Sequence, residues 1–129
     1  MAGNYILAID QGTSSSRALL LDGDAKVVGQ GQRALGAAYP APGLVEQDPD
    51  EIWQSVVDAV GIAMAQARLT AADVGALGIA NQRESVVIWD RATGEPLSPA
   101  ISWQDRRGAA ICDELRATGR EASIGRATG

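Results

Sequence analysis

The chain has 129 residues, of which 46% are hydrophobic, and it carries a formal net charge of -5. This length suits one domain with a modest core, and the hydrophobic content argues against intrinsic disorder. The acidic balance argues against nucleic-acid binding, which draws on clustered Lys and Arg side chains. Neither a signal peptide nor a membrane span is recognisable, and the single cysteine, Cys112, has no partner for an internal disulfide. We therefore expect a cytoplasmic globular protein.

The opening part of the chain predicts three strands joined by short turns. Residues 5–9 are apolar and predict a buried strand, and residues 17–21 predict its partner across a turn at Gly12. Residues 26–35 predict a third strand, entered through an Asp-Gly-Asp turn signal. Strands connected in this way form an antiparallel meander. A proline-containing loop at residues 37–48 follows it.

The hydrophobic period then changes to that of an amphipathic helix. Apolar side chains recur at spacings of three and four residues from Ile52 to Ala67. Asp48 is the predicted N-cap, and Pro49 occupies the first helical position. After this helix, residues 74–80 ("VGALGIA") predict a strand that is covered on both faces.

The last third of the chain predicts two short strands and a second helix. The strands are expected at residues 86–89 and 100–103, and the helix at residues 104–117, with Gly119 as its stop signal. Three strands, then alternating helices and strands, indicate the α/β class. The side chains in these elements and in the first helix that are expected to pack inward are Trp53, Trp89, Ile111, Cys112 and Leu115.

The segment "AIDQGTSSSR" has the composition of a cradle for phosphate and a metal ion. Gly12 lets backbone N–H groups approach an anion, residues 13–15 can donate hydroxyl hydrogen bonds, and Arg17 offers a charged hydrogen-bonding fork. Asp10, at the end of the first strand, is a suitable Mg²⁺ ligand, since Mg²⁺ prefers a carboxylate together with retained waters. The alternative is an ordinary polar hairpin tip.

The segment "NQRES" and a later tryptophan offer a second candidate site, suited to a polyol. Arg83 and Glu84 follow directly on a predicted buried strand, beyond whose carboxyl end ligands gather in α/β sheets. Their mixture of donors and acceptors suits adjacent hydroxyls, which both give and accept hydrogen bonds. Trp103 can pack against the carbon edge of a small polyol. The alternatives are a solvated Arg–Glu ion pair and a core tryptophan.

Taken together, the motifs resemble a known enzyme family. "AIDQGTSSSRALLLD", "YPAPGLVEQDPDEIW", "GIANQRESVVIWD", "TGEPL" and "AISWQDRR" are similar, in order and spacing, to the N-terminal part of the FGGY carbohydrate kinases. The resemblance implies a ribonuclease H-like (actin-like ATPase) fold and covers essentially all 129 residues. Residues 1–129 are therefore expected to be the first part of the family's domain I, with the second domain absent. "NQRE" resembles the branch of the family that acts on glycerol.

The resemblance also implies roles for individual residues. Asp10 would serve the Mg²⁺–ATP site, Arg83 and Glu84 would bind glycerol hydroxyls, and Trp103 would line the apolar side of that pocket. The family's catalytic base is expected beyond Gly129, so no catalytic residue is assigned within the chain. The residues expected to contact the nucleotide phosphates are Thr13, Ser14, Ser15 and Arg17.

The resemblance implies ATP-dependent phosphorylation of glycerol to glycerol 3-phosphate, in an enzyme expected to be a homo-oligomer. Another polyol or sugar kinase of the family is one alternative, and a truncated, non-catalytic binding module is another. The chain alone is expected to be inactive. It departs from residues common in the family at Gln47 and Ser85, among others, and none of these is expected to touch a proposed ligand contact.

Overall fold

The computed structural model describes residues 3–128, and within them it confirms the α/β class. No helix of the described part is both long enough and apolar enough to cross a bilayer. The strands are β1 (Tyr5–Gln11), β2 (Ser15–Leu21), β3 (Val27–Ala34), β4 (Glu46–Gln47), β5 (Val74–Asn81) and β6 (Ala100–Ile101). The helices are α1 (Pro49–Ala67), α2 (Ala109–Ala117) and α3 (Glu121–Thr128), and a 3₁₀ turn spans Ala71–Asp73.

The main sheet has the strand order β3-β2-β1-β5. Its first three strands form the predicted antiparallel meander. β5 joins β1 in parallel, with Leu7 opposite Leu77 and Gln11 opposite Asn81. The carboxyl ends of β1 and β5 therefore lie side by side at one edge of the sheet. β4 and β6 form a separate antiparallel pair.

Helix α1 begins as the sequence predicts. The carboxylate of Asp48 accepts a hydrogen bond from the backbone N–H of Asp50 at 2.9 Å, and Pro49 occupies the first helical turn, where a missing N–H costs nothing. The helix ends at Arg68, whose φ of 56° is left-handed. The chain reverses there toward β5.

The helix lies almost directly on the backbone of β3. A Cβ placed on Gly29 would come within 2.5 Å of the carbonyl oxygen of Ala63, and one placed on Gly31 would collide with the carbonyl oxygen of Ala59. Small residues on both sides of the contact are therefore a steric requirement. The core beneath the helix consists of Leu7, Ile9, Ala18, Leu20, Ala59 and Ala63.

A buried pair of hydroxyls joins β2 to the helix. Ser16 is fully buried, and its Oγ lies 2.7 Å from the Oγ of Ser55. Ser55 donates its one proton to the carbonyl oxygen of Ile52 at 2.7 Å, so Ser16 must be the donor between the two hydroxyls. The hydroxyl of Ser16 therefore serves packing against the helix. It faces away from the phosphate turn, residues 12–14 between β1 and β2.

The prediction that β5 is covered on both faces is wrong for the described residues. Leu77 and Ile79 are 56% and 65% exposed. Helix α1 packs over β2 and β3. In the part of the chain that the structure describes, β5 is an edge strand at the other side of the sheet. An apolar groove of about 690 Å³ consequently opens between α1 and β5.

The prediction of a strand at residues 86–89 is also wrong. Val86 and Ile101 exchange two backbone hydrogen bonds of 2.9 Å, and Trp89 forms a second isolated bridge with Pro96. Proline lacks the N–H that a longer ladder would need. The segment is therefore an irregular excursion held by two bridges, and β6 is two residues long.

The helix predicted from residue 104 begins later, at Ala109, and a further helix, α3, was not predicted. Gly119 lies between α2 and α3 with a φ of 70°, which confirms it as the stop. The prediction of inward packing is wrong for four of the five side chains, because no described element covers them. Leu115 is half-buried, and the exposed side chains are Trp53, Trp89, Ile111 and Cys112.

A cluster of charged side chains fastens the segment after β6 to β4. The carboxylate of Asp105 accepts the backbone N–H of Val45 at 2.7 Å and the Nε of Arg107 at 2.8 Å. Arg107 also reaches Glu46 at 2.7 Å. The hydrogen bond from Arg107 holds the pKa of Asp105 well below its usual range and in turn raises the pKa of the guanidinium. The chain that follows Trp103 is thereby anchored beside β4.

This cluster predicts a defined pH dependence. Because folding lowers the pKa of Asp105, its stabilisation is present above the unfolded-state value of about 4 and is lost as the pH falls through the folded-state value. Asp105→Asn should lower the melting temperature at pH 7, and its difference from the wild type should shrink below pH ~4. Thermal unfolding at several pH values measures this. Asp24→Asn, in an exposed turn, is the control; a difference for Asp105→Asn that is constant with pH would contradict the assignment.

The contact between α1 and β3 predicts opposite effects for two glycine substitutions. Gly31→Ala should destabilise the fold by about 1–3 kcal/mol, because the added methyl meets backbone that cannot move aside. Gly61→Ala, whose methyl would meet nothing within 4 Å, should stabilise the helix by up to about 1 kcal/mol. Urea unfolding gives both values. Equal stability of Gly31→Ala and the wild type would show that the helix and strand are further apart.

Candidate functional site

The candidate site lies where β1 and β5 end. The last register pair, Gln11 with Asn81, brings the turn after β1 beside the loop after β5. A cavity of about 320 Å³ opens between the two loops. Its lining includes five of the predicted site residues: Asp10, Thr13, Arg83, Glu84 and Trp103.

The side chain of Trp103, which follows β6, bonds to the turn after β1. Its indole Nε1 donates a hydrogen bond to the Oγ1 of Thr13 at 2.8 Å, across 90 residues of sequence. The indole occupies a lone pair of the hydroxyl, which leaves the hydroxyl proton of Thr13 for an acceptor in the cavity. Trp103 is 52% exposed, so it is not the core tryptophan of the alternative interpretation.

The remaining residues predicted to contact phosphate do not line this cavity. Ser15 and Arg17 point to the face of β2 opposite the helix, where Gln32 donates to the Oγ of Ser15 at 3.0 Å and accepts from the Nη2 of Arg17 at 3.2 Å. Arg17 is the cross-strand partner of Asp10, so both lie on the same face of the sheet. Ser14 is exposed at the tip of the turn.

Asp10 suits a magnesium ion that arrives with a nucleotide. The residue is exposed at the cavity, and among residues 3–128 its carboxylate receives no hydrogen bond and belongs to no group of three potential metal ligands. Mg²⁺ is commonly held by one or two carboxylates together with substrate phosphates and waters. One free carboxylate beside the predicted phosphate-binding turn fits that pattern, whereas a resident metal would need further ligands.

Arg83 and Glu84 both extend from the loop after β5. The ion pair that stood as the alternative is not formed: within residues 3–128 neither side chain takes part in a salt bridge. Glu84 has a φ of 62°, in the left-handed region that costs a non-glycine residue roughly 1–2 kcal/mol. Such strain persists only where the surroundings enforce it, and it clusters at functional sites.

Three supporting residues were not predicted, and the expectation that Gln47 and Ser85 touch no proposed ligand contact is wrong, because they bond to Thr13 and Trp103. The amide of Gln47, 2% exposed, donates to the carbonyl oxygen of Thr13 at 2.8 Å and accepts from Gln82 at 3.0 Å. Ser85 in turn donates to Gln82 at 3.1 Å. Gln82 and Ser85 stand in the "NQRES" segment and Gln47 in "YPAPGLVEQDPDEIW". Neither segment shows that Gln47 contacts Thr13, because only the folded chain brings the two together.

Residues 5–129 match the N-terminal domain of the FGGY family of carbohydrate kinases. The chain belongs to this family. The glycerol kinase of Rhizobium rhizogenes is 54% identical over 127 residues, and that of Allorhizobium ampelinum is 52% identical over the same length. Each match covers 98% of this chain and 26% of the relative, so the chain spans about a quarter of their length.

Solved structures confirm the ribonuclease H-like, actin-like fold of the FGGY kinases. Plasmodium falciparum glycerol kinase with ADP is similar to this chain with a TM-score of 0.80 and 36% identity, over 90% of this chain and 23% of that one. The xylulose kinase from Rhodospirillum rubrum has a TM-score of 0.78 and 28% identity, over 88% and 23%. The gluconate kinase from Lactobacillus acidophilus, at 22% identity and a TM-score of 0.83, shares the fold.

The left-handed backbone at Glu84 predicts an inverted order of stability for two substitutions. Glu84→Gly should be more stable than Glu84→Ala by about 1 kcal/mol, since glycine adopts this φ without a Cβ clash. At Gln54, in the exposed face of α1, the order should be the reverse, because glycine weakens a helix interior. Chemical unfolding of the four variants measures both differences. An alanine at position 84 that is as stable as glycine would contradict the strained geometry.

Proposed function

We propose that this chain supplies the phosphate turn and part of the alcohol site of a kinase that transfers the γ-phosphoryl group of ATP to a terminal hydroxyl of glycerol. Residues 1–129 would be the first part of domain I. The observation that carries the proposal is the single cavity lined both by Asp10 and Thr13 and by Arg83, Glu84 and Trp103. Phosphoryl transfer depends on holding the acceptor beside the phosphate, and one shared cavity is what that requires.

On the nucleotide side, hydroxyls and cations bind the phosphates. The hydroxyl proton of Thr13 is directed by the indole bond of Trp103, and Arg17 supplies a positive charge on the face of the sheet that carries Asp10. Asp10 would hold the Mg²⁺ that accompanies ATP, and the metal supplies neutralisation of the phosphate charge. The proposed phosphate contacts are Thr13, Ser14, Ser15 and Arg17.

On the alcohol side, a charged pair would bind adjacent hydroxyls. Glu84 accepts hydrogen bonds and Arg83 donates them, which matches what vicinal hydroxyls require. Because neither is engaged in a salt bridge within the described residues, both are available to a ligand. Trp103 would pack its ring against the carbon edge of the substrate. The relatives named glycerol kinase support glycerol as that substrate.

A second candidate is another polyol or sugar as the acceptor. The similarity to the xylulose kinase from Rhodospirillum rubrum favours it, because the fold alone does not separate the two substrates. A non-catalytic binding role for the isolated chain is the other alternative, since no residue of the chain is assigned as the base. Homo-oligomerisation and a cytoplasmic location stay predictions.

A hybrid kinase tests the proposal. Residues 3–128 replace the matching segment of the Rhizobium rhizogenes glycerol kinase, and glycerol and xylulose are compared as acceptors with ATP. We expect phosphorylation of glycerol. Arg17→Ala should lower kcat/KM for ATP about 10- to 100-fold, through loss of a charge-assisted hydrogen bond. Arg83→Ala should instead raise the KM for glycerol, with a lower kcat, since the hydroxyl is no longer in line.

The controls separate the two sites. Arg91→Ala removes an exposed arginine outside the cavity and should leave both constants unchanged. The 129-residue chain alone should give no turnover above background, because it has no assigned base; a rate of about 1–100 per second would contradict this. A folded hybrid that prefers xylulose would establish the second candidate. Loss of ATP use but not glycerol use in Arg83→Ala would mean that the two sites are reversed.

A further inference from the structure

We propose that Gln47 is a positioning residue that couples the phosphate turn to the alcohol loop; this inference rests on the proposed function. Five residues form a closed ring of hydrogen bonds. Gln47 donates to the carbonyl of Thr13 at 2.8 Å, Gln82 donates to Gln47 at 3.0 Å, and Ser85 donates to Gln82 at 3.1 Å. The backbone N–H of Trp103 donates to the Oγ of Ser85 at 3.2 Å, and the Trp103 indole closes the ring on the Thr13 hydroxyl at 2.8 Å.

The directions of the ring's bonds that involve the two glutamines follow from Gln47, whereas the indole and backbone N–H groups of Trp103 can only donate. Its amide nitrogen faces two carbonyl oxygens, those of Thr13 at 2.8 Å and Gly36 at 3.2 Å, which only accept. The nitrogen must therefore be on that side, and the amide oxygen must face Gln82. Gln82 consequently turns its own nitrogen toward Gln47 and its oxygen toward Ser85, whose single proton it receives. This leaves Ser85 as the acceptor for Trp103.

Gln47 holds the site without lining it. The residue is buried and stands outside the cavity lining, whereas Thr13, Gln82 and Trp103 are part of that lining. Gln82 directly precedes Arg83, so a shift of the Gln82 side chain is transmitted to the alcohol-binding pair. A nucleotide that pulls on Thr13 therefore acts on Gln82 through the buried amide of Gln47, as well as through Trp103 and Ser85. By linkage, the factor by which nucleotide binding changes the affinity for glycerol equals the factor by which glycerol changes the affinity for the nucleotide.

The test uses the hybrid kinase and measures the KM of each substrate at low and at saturating concentrations of the other. Gln47→Met keeps the side-chain length but removes the amide hydrogen bonds, and it leaves the carbonyl of Thr13 unpaired. Both KM values should rise about 10-fold, and the dependence of one KM on the other substrate should weaken, because only the Trp103–Ser85 arm of the ring remains. Gln47→Glu, which cannot donate to the carbonyl, should behave in the same way.

Rescue and control variants separate positioning from stability. Gln47→His should restore most of the coupling, since an imidazole can donate to Thr13 from one nitrogen and accept from Gln82 at the other. Gln54→Met removes a glutamine from the exposed face of α1, where its amide bonds only Asp58 at 2.8 Å, and should change nothing. A purely structural role would lower the melting temperature of Gln47→Met and leave the KM values and their coupling unaltered.

The outcomes distinguish the inference from the proposed function. An active hybrid in which Gln47→Met behaves like Gln54→Met overturns the inference alone. A folded hybrid that does not phosphorylate glycerol overturns the proposed function and the inference with it. Should Gln47→Met fail to fold, Ser85→Ala is the second variant, because it breaks the same ring at a half-buried position. It should also raise both KM values. Unchanged KM values in Ser85→Ala would overturn the inference.

Discussion

The parallel pairing of β1 with β5 is the constraint on which the rest of the structure depends. It places the end of the first strand beside the end of a strand that begins more than sixty residues later, with Gln11 opposite Asn81. The turn that carries Thr13 and the loop that carries Arg83 and Glu84 therefore face one cavity. A slip of one residue in this pairing would send each side chain of β5 to the other face of the sheet and separate the loops.

Around this pairing, the chain divides the tasks of folding and binding between alternate residues. In the segment "TSSSR", Ser16 is buried against the helix, while Ser15 and Arg17 lie on the opposite face. The pleat of β2 assigns these roles, because successive side chains point to opposite faces. On the other side of the cavity, Asp105 anchors the chain that presents Trp103. The proposed binding residues are thus supported by side chains that do not line the cavity.

The local signals were sufficient for the meander, for the start of α1 at Asp48 and for β5, since each depends on neighbours in sequence. The burial of β5 and the strand at residues 86–89 were not predictable, because short apolar runs do not reveal what packs on them. Five of the eight proposed site residues line one cavity, while their individual roles stay predictions. Gln47, in β4, was missed because its contact with Thr13 spans 34 residues, and no local sequence pattern reveals a contact of that separation.

The close approach of α1 to Gly29 and Gly31 has a consequence for how the domain can diverge. Where helix and strand backbones nearly touch, almost any new side chain is rejected, so this layer should change slowly over generations. Leu77 and Ile79 on β5 meet no such restriction within the described residues. Mutational tolerance should therefore differ sharply between the two edge strands of the sheet, β3 and β5. Substitutions should accumulate on β5, beside the site, while the contact between α1 and β3 stays nearly invariant.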